Sequence, residues 1–129
     1  MANILVVEDD KDLNNAYKII LESENHTVVS AFNGKEALKA LNSFKPDLIL
    51  LDLLMPIMGG LEFLQHYDLA KEHPDVKVLI FTNMENSPEV TEAYKLGAAR
   101  CIIKSWTAPQ NLARVITDTL ENRAVNVAS

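Results

Sequence analysis

The stretch LILLDLLMP, residues 48 to 56, runs four aliphatic residues into Asp52 and continues with Leu53, Leu54, Met55 and Pro56. A lone carboxylate in such a setting costs several kcal/mol or takes up a proton, so something must compensate it or use it. Other chemistry-bearing residues stand in the same context. Glu8 and Asp9 follow the run NILVV, Thr82 closes VKVLIF, and Lys104 follows RCII. Each has an ordinary use by itself: an Asp after a strand forms turns or caps helices, and a Lys there is solvated. Together they are three acids, one hydroxyl and one ammonium at the ends of four different apolar runs. Carboxylates brought within about 4 Å repel by roughly 4 kcal/mol per pair at an effective dielectric of 20, so three of them require a divalent cation or a proton.

The elements that must position this set follow from the apolar pattern. Runs of β-branched residues and leucine occur at 3 to 8, 27 to 31, 47 to 52, 76 to 82 and 100 to 103. Between them lie helical stripes: Leu13, Ala16, Tyr17, Ile20 and Leu21; then Ala37, Leu38 and Leu41; then Leu61, Leu64 and Leu69. Ser87-Pro88 reads as an N-cap followed by Pro at the first helical position, and Gly97 as the residue that closes that helix. Thr107 to Arg123 supplies a last helix through Leu112, Val115, Ile116 and Leu120. Five strand-then-helix units predict a doubly wound α/β fold with a parallel sheet covered on both faces. Ligand sites in such sheets lie at the carboxyl ends of the strands, where all four groups of candidates fall.

The 129 residues suit one domain, here 1 to 123 with a short C-terminal tail at 124 to 129. Apolar residues make up 48% and charged ones 23%, a balance that suits a packed core. A net charge of −6 and no basic patch argue against direct nucleic-acid binding. Cys101 is the only cysteine, so no internal disulfide forms, and nothing has zinc spacing. The start MANILVV has no basic segment of a secretion signal, and no apolar run approaches the roughly 20 residues of a membrane span. A cytoplasmic location is expected.

ILVVEDD, DLILLDLLMPIMGGLEFL, VLIFT and GAARCIIK, in this order and spacing, resemble the receiver domain of bacterial two-component response regulators over nearly the whole chain. The resemblance implies a five-stranded sheet of order 2-1-3-4-5, flavodoxin-like, and a phospho-switch rather than an enzyme. It implies that Asp52 is the phosphoacceptor, that Glu8 and Asp9 with Asp52 and the Leu54 backbone carbonyl hold Mg²⁺, that Lys104 contacts the phosphoryl group, and that Thr82 is the switch hydroxyl. The implied partners are a sensor histidine kinase or histidine phosphotransfer protein upstream and a protein downstream, recruited by the face of the fourth helix, fifth strand and fifth helix. The chemistry agrees: Mg²⁺ prefers hard oxygens, and Asp52 can attack phosphorus while cations neutralise the phosphoryl oxygens.

The chain departs from the receiver pattern at three positions. Cys101 stands where receivers carry Tyr or Phe, so coupling to the output face has to run through the backbone and the fourth helix. Ser105 replaces a cis proline after Lys104, and a trans bond is expected because a cis bond before a non-proline residue costs about 2.5 to 4 kcal/mol. Asn83 is bulkier than the usual small residue after Thr82. Leu54 and Met84 flank the approach of a hydrolytic water in receivers, and both being apolar predicts slow loss of phosphate. The alternative is a non-switching, receiver-like interaction module. An aspartate-nucleophile phosphatase would need a second Asp where Leu54 stands, and a flavin protein would need a hydroxyl-rich loop where EDDKDLNN is acidic.

Overall fold

Each apolar run becomes a strand: β1 (Asn3–Val7), β2 (Thr27–Ala31), β3 (Leu48–Leu51), β4 (Lys77–Thr82) and β5 (Arg100–Ile103). The computed structural model describes residues 1–67, 73, 75–83, 87–104 and 108–121. The strands form one parallel sheet in the order β2-β1-β3-β4-β5, the expected doubly wound arrangement. Helices α1 (Lys11–Ser23), α2 (Gly34–Ala40), α3 (Gly60–His66), α4 (Pro88–Lys95) and α5 (Leu112–Leu120) cover both faces.

The two-residue period of a strand sorts the core into two layers. Ile4, Val6, Leu48, Leu50, Leu79, Phe81 and Ile102 pack with Tyr17 and Leu21 of α1 and Leu112, Val115 and Ile116 of α5. Leu5, Val7, Ile49, Leu51, Val78 and Ile80 pack with Ala37, Phe63, Leu64 and Ala93 of the other three helices. Continuing the first phase past the strand ends brings Glu8, Asp52 and Lys104 onto the α1 and α5 face. Register then sets their depth. Val7 pairs with Leu51, so Glu8 and Asp52 begin the next row together.

Helix ends match their sequence signals. Asp10 caps α1 by accepting from the N–H groups of Asp12 and Leu13, and Ser87 caps α4 by accepting from Val90. Gly97 has φ 109°, and the Ala98 N–H reaches back to the Ala93 carbonyl, a left-handed helix end that glycine adopts without strain.

Two expectations change. The α1 stripe does not bury Leu13, which is exposed; the neighbouring Asn14 is buried instead, at 1% exposure. An amide replaces an aliphatic side chain there because it meets main-chain carbonyls at the end of the sheet, as set out below. The last helix begins at Leu112 rather than Thr107, after a 3₁₀ turn at Pro109–Asn111 held by the Asn111 N–H on the Ala108 carbonyl. Leu69, Met84, Ser105, Trp106, Thr107 and Arg123 lie outside the described residues, as does the Lys104-Ser105 peptide.

Candidate functional site

At the carboxyl ends of β1 and β3, Glu8 and Asp52 are buried, at 3% and 8% exposure, while Asp9 is exposed. One carboxylate oxygen from each of the three lies within 4.8 Å of the others. Lys104, the residue directly after the last paired row of β4 and β5 and two rows beyond that of Glu8 and Asp52, donates from Nζ to Asp52 Oδ2 at 2.8 Å and also to Glu8 Oε1. The second oxygen of each acid is taken locally. Glu8 Oε2 accepts the Asp10 N–H at 3.1 Å, and Asp52 Oδ1 accepts the Leu54 N–H at 3.3 Å. The Asp52 backbone N–H continues the sheet by donating to the Val7 carbonyl at 3.1 Å.

Burial pushes the Glu8 carboxyl above its ordinary value, and the Lys104 and Asp10 hydrogen bonds offset this only in part. For Lys104 burial acts in the opposite sense, favouring loss of the proton, but the hydrogen bonds and attraction of Asp52 and Glu8 prevail and its pKa is raised. The ammonium therefore stays charged between two acids.

The loop after β3 is shaped by close backbone approach. A Cβ on Gly60 would lie 2.6 Å from the Asp52 carbonyl oxygen and 2.9 Å from Leu53 Cα, so only glycine lets α3 start this near Asp52. Ile57 holds φ 69°, rare for a β-branched residue, and its side chain is exposed. The Leu54 side chain is also exposed.

The structure thus brings Glu8, Asp9, Asp52 and Lys104 to one place. Thr82 is buried at the end of β4, the strand next to β3. Its position is in phase with Val78 and Ile80 rather than with the layer that leads to Glu8 and Asp52. The apolar-stripe reading missed Asn14. Its Nδ2 donates to the Glu8 carbonyl at 3.0 Å and the Ala31 carbonyl at 3.1 Å, joining α1 to the ends of β1 and β2. Spacing could have found it, since Asn14, Tyr17 and Leu21 form a better helical stripe than one through Leu13. Tyr94 of α4 was missed as well. Its hydroxyl accepts the Cys101 N–H at 2.9 Å on β5, a strand at the edge of the sheet. A cleft of about 510 Å³ lies away from this chemistry, lined by Leu41, Phe44, Tyr67 and His73 among others.

Comparison with known proteins gives the family and the fold. The family description "Response regulator receiver domain" matches residues 4–117. The chain is 36% identical over 113 residues to the chemotaxis protein CheY of Listeria monocytogenes, covering 87% of this chain and 93% of that protein. It is 33% identical over 116 residues to protein CcdB of Bacillus subtilis, covering 89% and 95%. Among solved structures, a CheY-like response regulator receiver domain from Methanospirillum hungatei superposes with a TM-score of 0.85 at 27% identity, covering 95% of each chain.

Proposed function

Since the chain belongs to the response regulator receiver domain family, we propose that it is a signalling switch in which Asp52 accepts a phosphoryl group from a phosphohistidine of a sensor kinase or phosphotransfer protein. The observation that carries this reading is the Asp52 carboxylate, buried at the end of the central strand, bonded by Lys104 and faced by two further acids. In the transfer an Asp52 oxygen bonds to phosphorus, the phosphorus–nitrogen bond breaks, and the leaving imidazole keeps the electron pair and takes a proton. On this reading Lys104 neutralises oxygen charge on the phosphoryl group, and its bond to Asp52 Oδ2 orients that carboxylate beforehand.

Three carboxylates against one ammonium leave two negative charges to balance, and an all-oxygen donor set is the kind Mg²⁺ takes. Glu8, Asp9 and Asp52, with the Leu54 carbonyl, would hold it. Bound there, Mg²⁺ supplies the positive charge that lets phosphate approach three acids. On this reading Thr82 donates to the phosphorylated Asp52, which moves the segment after β4 and with it the face of α4, β5 and α5 that a downstream protein reads. Loss of the phosphoryl group is slow, because Leu54 beside the acceptor has no polar group to orient water. A cytoplasmic setting belongs to the same proposal; among the described residues no helix is long and apolar enough to cross a membrane.

The test is intact-protein mass spectrometry after incubation with a small-molecule phosphodonor, with and without Mg²⁺. The parent should gain one phosphoryl group in the presence of Mg²⁺ only. An adduct of the same mass on Asp52→Asn would defeat the assignment.

A further inference from the structure

Asn14 sits in the buried stripe of α1, where an aliphatic residue would fit the surrounding Tyr17 and Leu21 and suit the helix better. The orientation of its amide is not ambiguous. The amino group donates to the carbonyls of Glu8 and Ala31 and lies 3.5 Å from that of Val6, so three acceptors surround it and only the nitrogen end can face them. The oxygen end, Oδ1, is buried without a hydrogen-bond partner among the described residues. An unpaired buried acceptor is destabilising, so the donor end must supply something the site needs.

The Ala31 carbonyl already receives the Glu8 backbone N–H at 3.1 Å. What Asn14 adds is a donor to the Glu8 carbonyl, the oxygen of the peptide that joins Glu8 to Asp9. Fixing that oxygen fixes the peptide plane, and with it the direction in which the Asp9 side chain leaves the backbone. Asp9 needs such help. Glu8 and Asp52 are each held by Lys104 and by a local N–H, whereas the Asp9 carboxylate is exposed and makes no hydrogen bond among the described residues.

We propose that Asn14 is a positioning residue for the acidic pair, holding the Glu8–Asp9 peptide so that Asp9 stays within reach of the same cation as Glu8 and Asp52. This rests on the reading of those three acids as Mg²⁺ ligands. Groups that orient metal ligands from behind typically change metal affinity by about 10- to 100-fold when removed. Asn14→Leu keeps the size and removes the donor, so its Mg²⁺ affinity should fall by about that factor.

Calorimetric Mg²⁺ titration of the parent, Asn14→Leu, Asn14→Ala and Leu21→Ala tests this, with the thermal midpoint of each measured free of metal. Asn14→Ala, which adds no bulk, guards against a misfolded leucine variant. Leu21→Ala empties a buried position farther along the same helix, so it should lower the midpoint and leave Mg²⁺ affinity alone. A folded Asn14 variant that binds Mg²⁺ within about twofold of the parent overturns the proposal, as does an equal loss of affinity in Leu21→Ala, which would mean general loosening of α1. A parent that binds no Mg²⁺ overturns the metal reading itself, and the proposal with it.

Discussion

Strand β3 carries an aspartate at each end, and the two do opposite things. Asp47 is exposed; its Oδ2 accepts the Asn3 N–H at 2.8 Å, and its main chain bonds to Asn3 and Lys77, so it extends the ladder to the strands on either side. Asp52 is buried, and its Oδ2 partner is Lys104, 52 residues away, which also holds Glu8. The first carboxylate finishes a sheet that would stand nearly as well with an amide in its place. The second is held in a low-dielectric site by an ammonium drawn from the far end of the chain, with two more acids beside it. Burial costs an ion pair several kcal/mol in desolvation, so an arrangement of this kind is poorly explained by stability alone. The same contrast separates the two ends of the whole sheet. Polar groups at the amino end complete the backbone, while those at the carboxyl end converge on one carboxylate.

The largest expected effect breaks that contrast directly. Asp52→Asn should abolish phosphorylation, and Asp47→Asn should leave it intact, with a stability change within about 0.5 kcal/mol because the amide oxygen can accept the same N–H from Asn3. Mass spectrometry and urea unfolding on both variants measure the pair. Equal loss of phosphorylation in the two would mean that Asp52 acts through the fold and not as the acceptor.

Next comes the loop that lets α3 approach Asp52. Gly60→Ala places a Cβ against main-chain atoms that cannot swing aside, so the backbone of the loop after Asp52 must move. Overpacking of this type costs about 1–3 kcal/mol, and the urea midpoint should fall accordingly. Phosphorylation should slow as well, because the atom displaced is the carbonyl oxygen of Asp52 itself. A variant with parental stability and rate would show that the loop yields freely, and that Asp52 is less rigidly held than the packing implies.

How far the sequence foretells each end can be traced to particular residues. The strands were legible because parallel strands covered on both faces need uninterrupted apolar runs. Glu8, Asp52 and Lys104 were legible because each stands where such a run stops, and the two-residue period carries all three to one face. Asn14 was not, since a stripe counted from apolar residues passes over an amide and chooses Leu13 instead. The Tyr94 bond escaped for another reason: its partner is a main-chain N–H, and every residue but proline carries one.

That bond gives the third prediction, at the edge strand that Cys101 occupies. Tyr94→Phe removes only the hydroxyl that accepts the Cys101 N–H, and should cost about 0.5–1.5 kcal/mol, at the lower end because Tyr94 is half exposed. Cys101 is the only cysteine, so selective ¹⁵N-cysteine labelling yields one amide signal. Its hydrogen exchange should quicken in Tyr94→Phe. If a phosphoryl mimic shifts α4, the same signal in the parent should respond, and no response would favour a receiver whose output face does not switch.

The smallest effect lies at the amino end and separates the two ends by pH. His26 Nδ1 accepts the Ala2 N–H at 3.1 Å, which requires an unprotonated nitrogen, and burial holds its pKa below the ordinary 6.5. Below pH 6.5 the unfolded chain takes up the proton first, so it binds more protons than the native state and stability falls with pH from there down to the lowered native value. Above that window the His26 contribution is fully present. His26→Gln keeps an acceptor and cannot titrate, so the parent should lose stability relative to this variant as pH drops through the window, while contributions common to both proteins cancel. Urea midpoints at a series of pH values give the difference, and phosphorylation rates in the same samples should show none. Parallel stability curves would exclude His26 as the source, and a shift in the rates would mean that the two ends of the sheet are coupled after all.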